Sequence, residues 1–318
     1  MMTLDAALHD NVVRLYLEII GGLLLVAGAI LTVLRFVLRK NVGSVITIYV
    51  SWLVIVPVAI GSVMLGRIPF ILIVIVASLL GFKEFARATG LYEDWWMTIT
   101  GYLGILTIGA SSLLPDPRMG TPGWLGFFMA APVFVIATIL LVPILRNRIT
   151  GQLQALSLTI VGFVTIGWMF GHLGFLANSD HPYGYVLYLL LAVELNDISA
   201  YLFGKALGRR KLRSNISPNK TWEGAIGALA VAMVLPWLLR GTLPHFGPVQ
   251  LLLTGVIVGV GGQLGDLSMS LIKRDVGIKD MGRMIPGHGG VLDRIDSLIY
   301  TVPLFFHLVN YTYYVKPL

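Results

Sequence analysis

The chain has 318 residues, of which 56% are hydrophobic and only 12% charged, whereas a soluble domain carries about 25% charged residues. With a mean hydropathy of +0.83, it has too few polar side chains to cover a water-facing exterior, which excludes an ordinary soluble globule. The absence of cysteine excludes disulfides, thiolate metal sites and thiol catalysis, and the net charge of +7 matches the Lys/Arg-rich loops of a membrane protein.

Read from the amino terminus, the sequence predicts an all-α polytopic membrane protein of about ten spans. The apolar segments are 15–38, 44–65, 68–83, 96–114, 124–145, 152–176, 183–204, 222–240, 249–272 and 297–315. They are too long and too evenly apolar for membrane strands, which alternate with period two, and backbone groups in hydrocarbon must be satisfied within the segment. The first run follows Asp5 and Asp10 and ends at Arg35, Arg39 and Lys40, so it reads as a span rather than a cleaved leader. The third segment is short; if it is re-entrant, the count falls to nine.

Charge predicts the orientation. With the amino terminus outside, the inside connections hold Arg35, Arg39 and Lys40; Lys83 and Arg87; Arg146 and Arg148; and the 205–220 and 273–294 segments. The outside connections hold Arg67, Arg118, Arg240 and the stretch Asn178-Ser179-Asp180-His181. The basic residues gather on one side, as the positive-inside rule requires. The chain also divides by content. Residues 1–180 read as a lipid-facing scaffold, also suited to dimerisation. Residues 181–318 read as a catalytic region with cytoplasmic basic loops, because the unusual polar residues concentrate there.

Three places carry chemistry. Within the seventh span, Glu194 and Asp197 are ionisable groups at membrane depth, which are expensive and usually functional; a buried hydrogen-bond cluster between helices is the alternative. Next comes Lys205 to Gly224, where six bases precede the first acid, Glu223. Its run Ser217-Pro218-Asn219-Lys220-Thr221-Trp222-Glu223-Gly224 puts hydroxyls and a lysine at a helix start, which suits phosphate. A lone basic loop is also the ordinary product of topology or headgroup contact. The third place runs from Asp266 to Asp296. On a helix, Asp266, Ser270 and Lys273 share a face. Asp293 and Asp296 are three apart and open the last span, where helix capping is the competing role. The Pro286-Gly287-His288-Gly289-Gly290 run is a turn, and its glycines permit close approach of backbone to a bulky anion.

The stretch Ser270 to Asp296, with Lys273-Arg274-Asp275, Lys279-Asp280, Gly282, Pro286-Gly287-His288-Gly289-Gly290 and Asp293-Arg294, resembles the signature of the phosphatidate cytidylyltransferase family, the CDP-diacylglycerol synthases. Asp197, Ala200-Tyr201, Gly204, Gly208, Ser217-Pro218, Lys220-Thr221 and Glu223-Gly224 are similar to its upstream elements. Asn219 departs, since the family usually has a second lysine there. The resemblance covers roughly residues 190–300. It implies transfer of CMP from CTP to phosphatidic acid, giving CDP-diacylglycerol and pyrophosphate, in an inner-membrane homodimer with no nucleic-acid partner. It also implies a site at the cytoplasmic face.

Under that resemblance, Mg²⁺ (one ion or two, with a monovalent cation beside them) is expected on Asp266 and Asp293, with Asp197 and Asp296 nearby. Lys220, Lys273, Arg274 and Lys279 are expected on phosphates, with Ser217 and Thr221 donating to the same groups. Asp280, His288, Gly289, Gly290 and Arg294 complete the expected substrate pocket. Two other classes fit ten spans with intramembrane acids. A secondary transporter would hold its polar cluster near the midplane. Another CTP-using lipid enzyme, such as a polyprenol kinase, would release CDP instead of pyrophosphate.

Overall fold

The computed structural model describes residues 2–39, 41–282, 284–285 and 289–314. All ten apolar segments are helical. After a short α1 (Leu4–His9), they are α2 (Asn11–Thr32), α3 (Gly43–Leu65), α4 (Arg67–Ala88), α5 (Trp95–Leu113) and α6 (Leu125–Leu145). They continue as α7 (Gln152–Gly162) with α8 (Phe170–Leu176), then α9 (Pro182–Leu207), α10 (Trp222–Leu238), α11 (Pro248–Val256) with α12 (Gly262–Asp275), and α14 (Leu298–Tyr314). A four-residue α13 (Leu292–Ile295) precedes the last. Wide π-helical turns extend α2 and join the paired helices at Val33–Val37, Phe163–Met169 and Ile257–Gly261.

Among the described residues, seven helices are long and apolar enough to cross a membrane. Trp95–Leu113 is not among them, and Trp222–Leu238 and Leu298–Tyr314 have 17 residues each. The third segment is not the short element that its apolar run indicates. It extends to 22 residues, Arg67–Ala88, about 33 Å of helix, and its ends carry the charges Arg67, Lys83, Glu84 and Arg87 that broke the hydropathy pattern.

Side-chain caps explain several boundaries. Asp10 accepts from the N–H groups of Val12 (2.7 Å) and Val13 (3.3 Å) and starts α2. Asp94 accepts from Met97 N–H at the start of α5 and also binds Arg146, across 2.6 and 2.9 Å. Large apolar side chains face outward along α2, α3 and α6, among them Leu25, Val54, Val133 and Ile144. The inward faces hold the packed aromatic core of Phe82, Phe85, Phe128, Phe163, Tyr188 and Phe305.

The helix α9 runs through the middle of the second half and packs most extensively on α10. That approach depends on glycine: a Cβ on Gly224 would lie 2.6 Å from the carbonyl oxygen of Ala200. Packing crosses residue 180 freely, since α14 lies against α8 and α13 against α4. Between α9 and α10 the chain makes an element the sequence did not predict, an antiparallel hairpin of β1 (Lys211–Arg213) and β2 (Ser217–Thr221). Glu223 anchors it by accepting the backbone N–H groups of Arg209 (3.0 Å) and Arg210 (3.2 Å).

Candidate active site

A cavity of about 590 Å³ opens between α9, the hairpin, α10, α12 and the segment leading into α13. Of the expected site residues, Asp197, Ser217, Lys220, Thr221, Asp266, Lys273, Asp280, Asp293, Arg294 and Asp296 line it. Residues 76 or more positions apart in sequence, from Asp197 to Lys273 and beyond, thus meet in one place. Tyr201, Lys205, Asn219 and Gln263 join them. Gln263 is held by donating its amide to the carbonyls of Ala225 (3.0 Å) and Gly259 (2.9 Å).

Two ion pairs organise the cavity. Lys220 Nζ, at the end of β2, meets Asp266 Oδ2 at 2.5 Å. The other oxygen of Asp266 accepts from Ser270 Oγ at 3.1 Å, one helical turn on. Lys273 Nζ donates to Asp293 Oδ1 at 2.9 Å and lies 4.0 Å from Asp296 Oδ2. The shared helical face expected for Asp266, Ser270 and Lys273 is the face that α12 turns to the cavity. Asp197 Oδ2 accepts from Ser297 Oγ at 2.8 Å, and Asp296 Oδ1 from Ser297 N–H at 2.8 Å. Asp197 on α9 is thereby tied to the start of α14. Burial, and then the neighbouring Asp266, push the Asp296 carboxyl well above the usual carboxylate range, with Lys273 pulling the other way.

Several expected residues take other work. Asp293 has both oxygens engaged, Oδ1 by Lys273 and Oδ2 by the N–H groups of Met281 (3.0 Å) and Gly290 (2.8 Å). It thereby also closes the loop in front of α13, with both oxygens engaged as those of Asp266 are by Lys220 and Ser270. Gly289 has φ +82°, and a Cβ there would lie 2.7 Å from Asp293 Oδ2; this position needs glycine on both counts. Gly290 spends its N–H on Asp293. Arg274 follows Lys273 by one residue, about 100° around the helix, and points elsewhere. It donates to the carbonyls of Ile216 (3.3 Å) and Ile278 (3.1 Å), fastening α12 to the hairpin. Lys279 does not line the cavity. Thr221 caps α10 by accepting Gly224 N–H at 3.2 Å, and its hydroxyl proton remains available to a ligand. His288 lies outside the described residues. Glu84, which the sequence reading did not single out, accepts the backbone N–H groups of Val291 and Leu292.

Whether a cation fits can be judged from the charges. Five aspartates and four Lys/Arg line the cavity, a formal net charge of −1. With Asp296 held above the usual carboxylate range, the lining carries little net charge of either sign. Among the described residues no three acidic or histidine side chains form a ready-made cage. Mg²⁺ would need no such cage, since it takes one or two carboxylates and completes its shell with substrate phosphates and water. The carboxylates of Asp197, Asp266, Asp293 and Asp296 in the lining are hard oxygen donors of the kind such an ion would take.

The fold and this site define an integral membrane protein with a polar cavity of about 590 Å³ at one end of its helix bundle. A family model described as "Cytidylyltransferase family" matches residues 46–312, and the chain belongs to that family. A phosphatidate cytidylyltransferase of Staphylococcus haemolyticus is 42% identical over 160 residues, covering 50% of this chain and 60% of that protein. Its counterpart from Staphylococcus aureus strain COL is 43% identical over the same length and shares. An Escherichia coli K12 protein, uncharacterized protein YnbB, is 48% identical over 129 residues, covering 41% of this chain and 43% of that protein. The chain therefore matches about half of the length of these relatives.

Proposed function

We propose that this protein transfers the cytidylyl group of CTP to phosphatidic acid, forming CDP-diacylglycerol and pyrophosphate at the cytoplasmic face of the membrane. The observation that carries the reading is the cavity itself. It brings Lys220, Lys273, Lys205 and Arg294 together with buried aspartates at helix ends, in a chain of the cytidylyltransferase family.

Both substrates are polyanions. At about 4 Å two unit charges repel by about 4 kcal/mol at the effective dielectric of a partly exposed site, so cations must be concentrated where the two meet. Mg²⁺, when bound by Asp266 and Asp293 with Asp197 and Asp296 nearby, would supply positive charge to the triphosphate of CTP. Lys220 and Lys273 are already placed beside those acids, and phosphate oxygens would compete with Asp266 and Asp293 for them. Ser217 and Thr221 offer hydroxyl donors at the start of α10, where helix N–H groups also favour an anion. An oxygen of the lipid phosphate attacks the α-phosphorus of CTP, and the bond to the pyrophosphate oxygen breaks. The attacking oxygen is ionised near neutral pH, so no general base is required. Positioning and charge stabilisation carry the catalysis, as in other phosphoryl transfers.

The cytoplasmic placement is supported by geometry. Glu84, between the basic residues Lys83 and Arg87, touches the loop before α13, so these basic connections share one end of the bundle. That is the arrangement the positive-inside rule demands. A second reading changes only the acceptor. Asn219 lines the cavity where a lysine was expected, one cation fewer for a lipid phosphate, which favours a different lipid acceptor over a different reaction.

The test is incubation of the purified protein with α-labelled CTP and a panel of lipid phosphates and polyprenols. Labelled CDP-diacylglycerol with release of pyrophosphate is expected, stopped by EDTA and restored by Mg²⁺. Release of CDP would refute nucleotidyl transfer, and activity only on another lipid would establish the second reading.

A further inference from the structure

Glu84 stands outside the cavity, near the end of α4, in the half of the chain that the sequence marks as scaffold. Its side chain is buried. Oε1 accepts the N–H of Val291 at 3.1 Å and Oε2 accepts that of Leu292 at 2.9 Å, across more than 200 residues of sequence. These are N–H groups at the start of α13, which have no partner within the helix.

The loop also fits its shape to this carboxylate. A Cβ on Gly282 would lie 2.3 Å from Glu84 Oε1, and one on Gly290 would lie 2.3 Å from Oε2. The sequence assigned glycine in this loop to the approach of a bulky anion. At 282 and 290 the anion approached is the protein's own glutamate. Asp293 Oδ2 also holds the N–H groups of Met281 and Gly290. Met281 and residues 290–292 are therefore held by two carboxylates, one from each half of the chain.

We propose that Glu84 is a positioning residue for the reaction. It fixes the entry to α13, and so sets where Asp293, Arg294 and Asp296 stand in the cavity. The inference rests on the cytidylyl-transfer reading for its functional half and on the observed contacts for its structural half. A residue that only stabilised the bundle would have no selective effect on turnover.

The test compares wild type, Glu84→Gln and Gly290→Ala, with amide exchange and thermal unfolding measured beside kinetics. Glu84→Gln keeps the shape but replaces one acceptor by an NH₂ group facing a backbone N–H. Faster exchange at Val291 and Leu292 is expected, with a fall in kcat of about 100-fold, the scale of a small displacement of catalytic groups. KM for CTP should stay within about threefold, since turnover falls through orientation rather than uniform binding. Gly290→Ala, which drives a methyl into the same carboxylate, should give the same split and carries the test alone if Glu84→Gln does not fold. Wild-type kcat in a variant with loosened amides overturns the proposal. So does a loss that follows the fraction of unfolded protein. If wild type does not turn over CTP, the reaction reading fails, and unchanged protection at Val291 and Leu292 in Glu84→Gln separately overturns the clamp.

Discussion

The Lys273–Asp293 pair allows the sharpest quantitative expectation. The Lys273 side chain is 11% exposed and that of Asp293 is 5% exposed, with 2.9 Å between the charged atoms; Asp296 Oδ2 is a further 4.0 Å contact of the same nitrogen. Solvent screens such a pair weakly, and removing one partner leaves a buried charge without compensation, at a cost of about 3–5 kcal/mol. Lys273→Met keeps an aliphatic stem of similar reach, so packing is largely preserved and the charge is the main loss. The folded-to-unfolded ratio should fall by about two to four powers of ten.

The matching change, Asp293→Asn, keeps an acceptor for Met281 and Gly290 but strands Lys273. In the double variant Lys273→Met/Asp293→Asn, each deletion relieves the penalty left by the other. The combined loss should then fall short of the sum by about 1–3 kcal/mol, the coupling of contacting residues. Reversible denaturant unfolding in mixed micelles measures all three variants without any assumption about substrate. If Lys273→Met unfolds within about 1 kcal/mol of wild type, or the double variant is additive, the pair is not the buried electrostatic contact described above.

Two further expectations test neighbouring features. Asp266→Asn should leave the fold intact, because Asn can still accept from Ser270, yet lower kcat by about 10²–10³, the effect of deleting one electrostatic element of a site; labelled-CTP turnover at saturating Mg²⁺ measures it, and near-normal activity would remove Asp266 from the metal assignment. Gly265→Ala should destabilise by about 1–3 kcal/mol, because its Cβ would lie 2.2 Å from the carbonyl oxygen of Asp296 and 3.1 Å from Ser297 Cα, backbone that cannot swing aside. Gly241→Ala, with nothing within 4 Å, is the control for that unfolding measurement.

The helices were legible because hydrocarbon leaves the backbone little choice, and all ten apolar segments became helical. Where the sequence erred on extent, as at Arg67–Ala88, charges at the helix ends had hidden the terminal turns from a hydropathy pattern. The hairpin was illegible for a different reason. Lys211–Arg213 and Ser217–Thr221 are short and polar, with no alternating apolar face, and their stability comes from Glu223 and Arg274, contacts set by tertiary structure. Helical spacing predicted the Asp266–Ser270–Lys273 face. The same spacing, applied one residue further, removes Arg274 from the cavity. Glu84 carried the same local mark as Asp266, an acid near the end of an apolar span, but its partners are backbone N–H groups more than 200 positions away, which no side-chain pattern reveals.

The distribution of charge then explains why the cavity is built from pairs. A lysine or aspartate buried alone at the end of a helix bundle is costly, so on the cytidylyl-transfer reading the cations meant for phosphates would be held against counter-charges until the phosphates arrive. Lys220 rests on Asp266 and Lys273 on Asp293. Such pairing leaves the lining with no net positive charge to offer a triphosphate. A divalent cation among Asp197, Asp266, Asp293 and Asp296 would add positive charge and weaken the hold of Asp266 on Lys220. Metal and nucleotide would then favour one another's binding, each supplying the charge the other lacks.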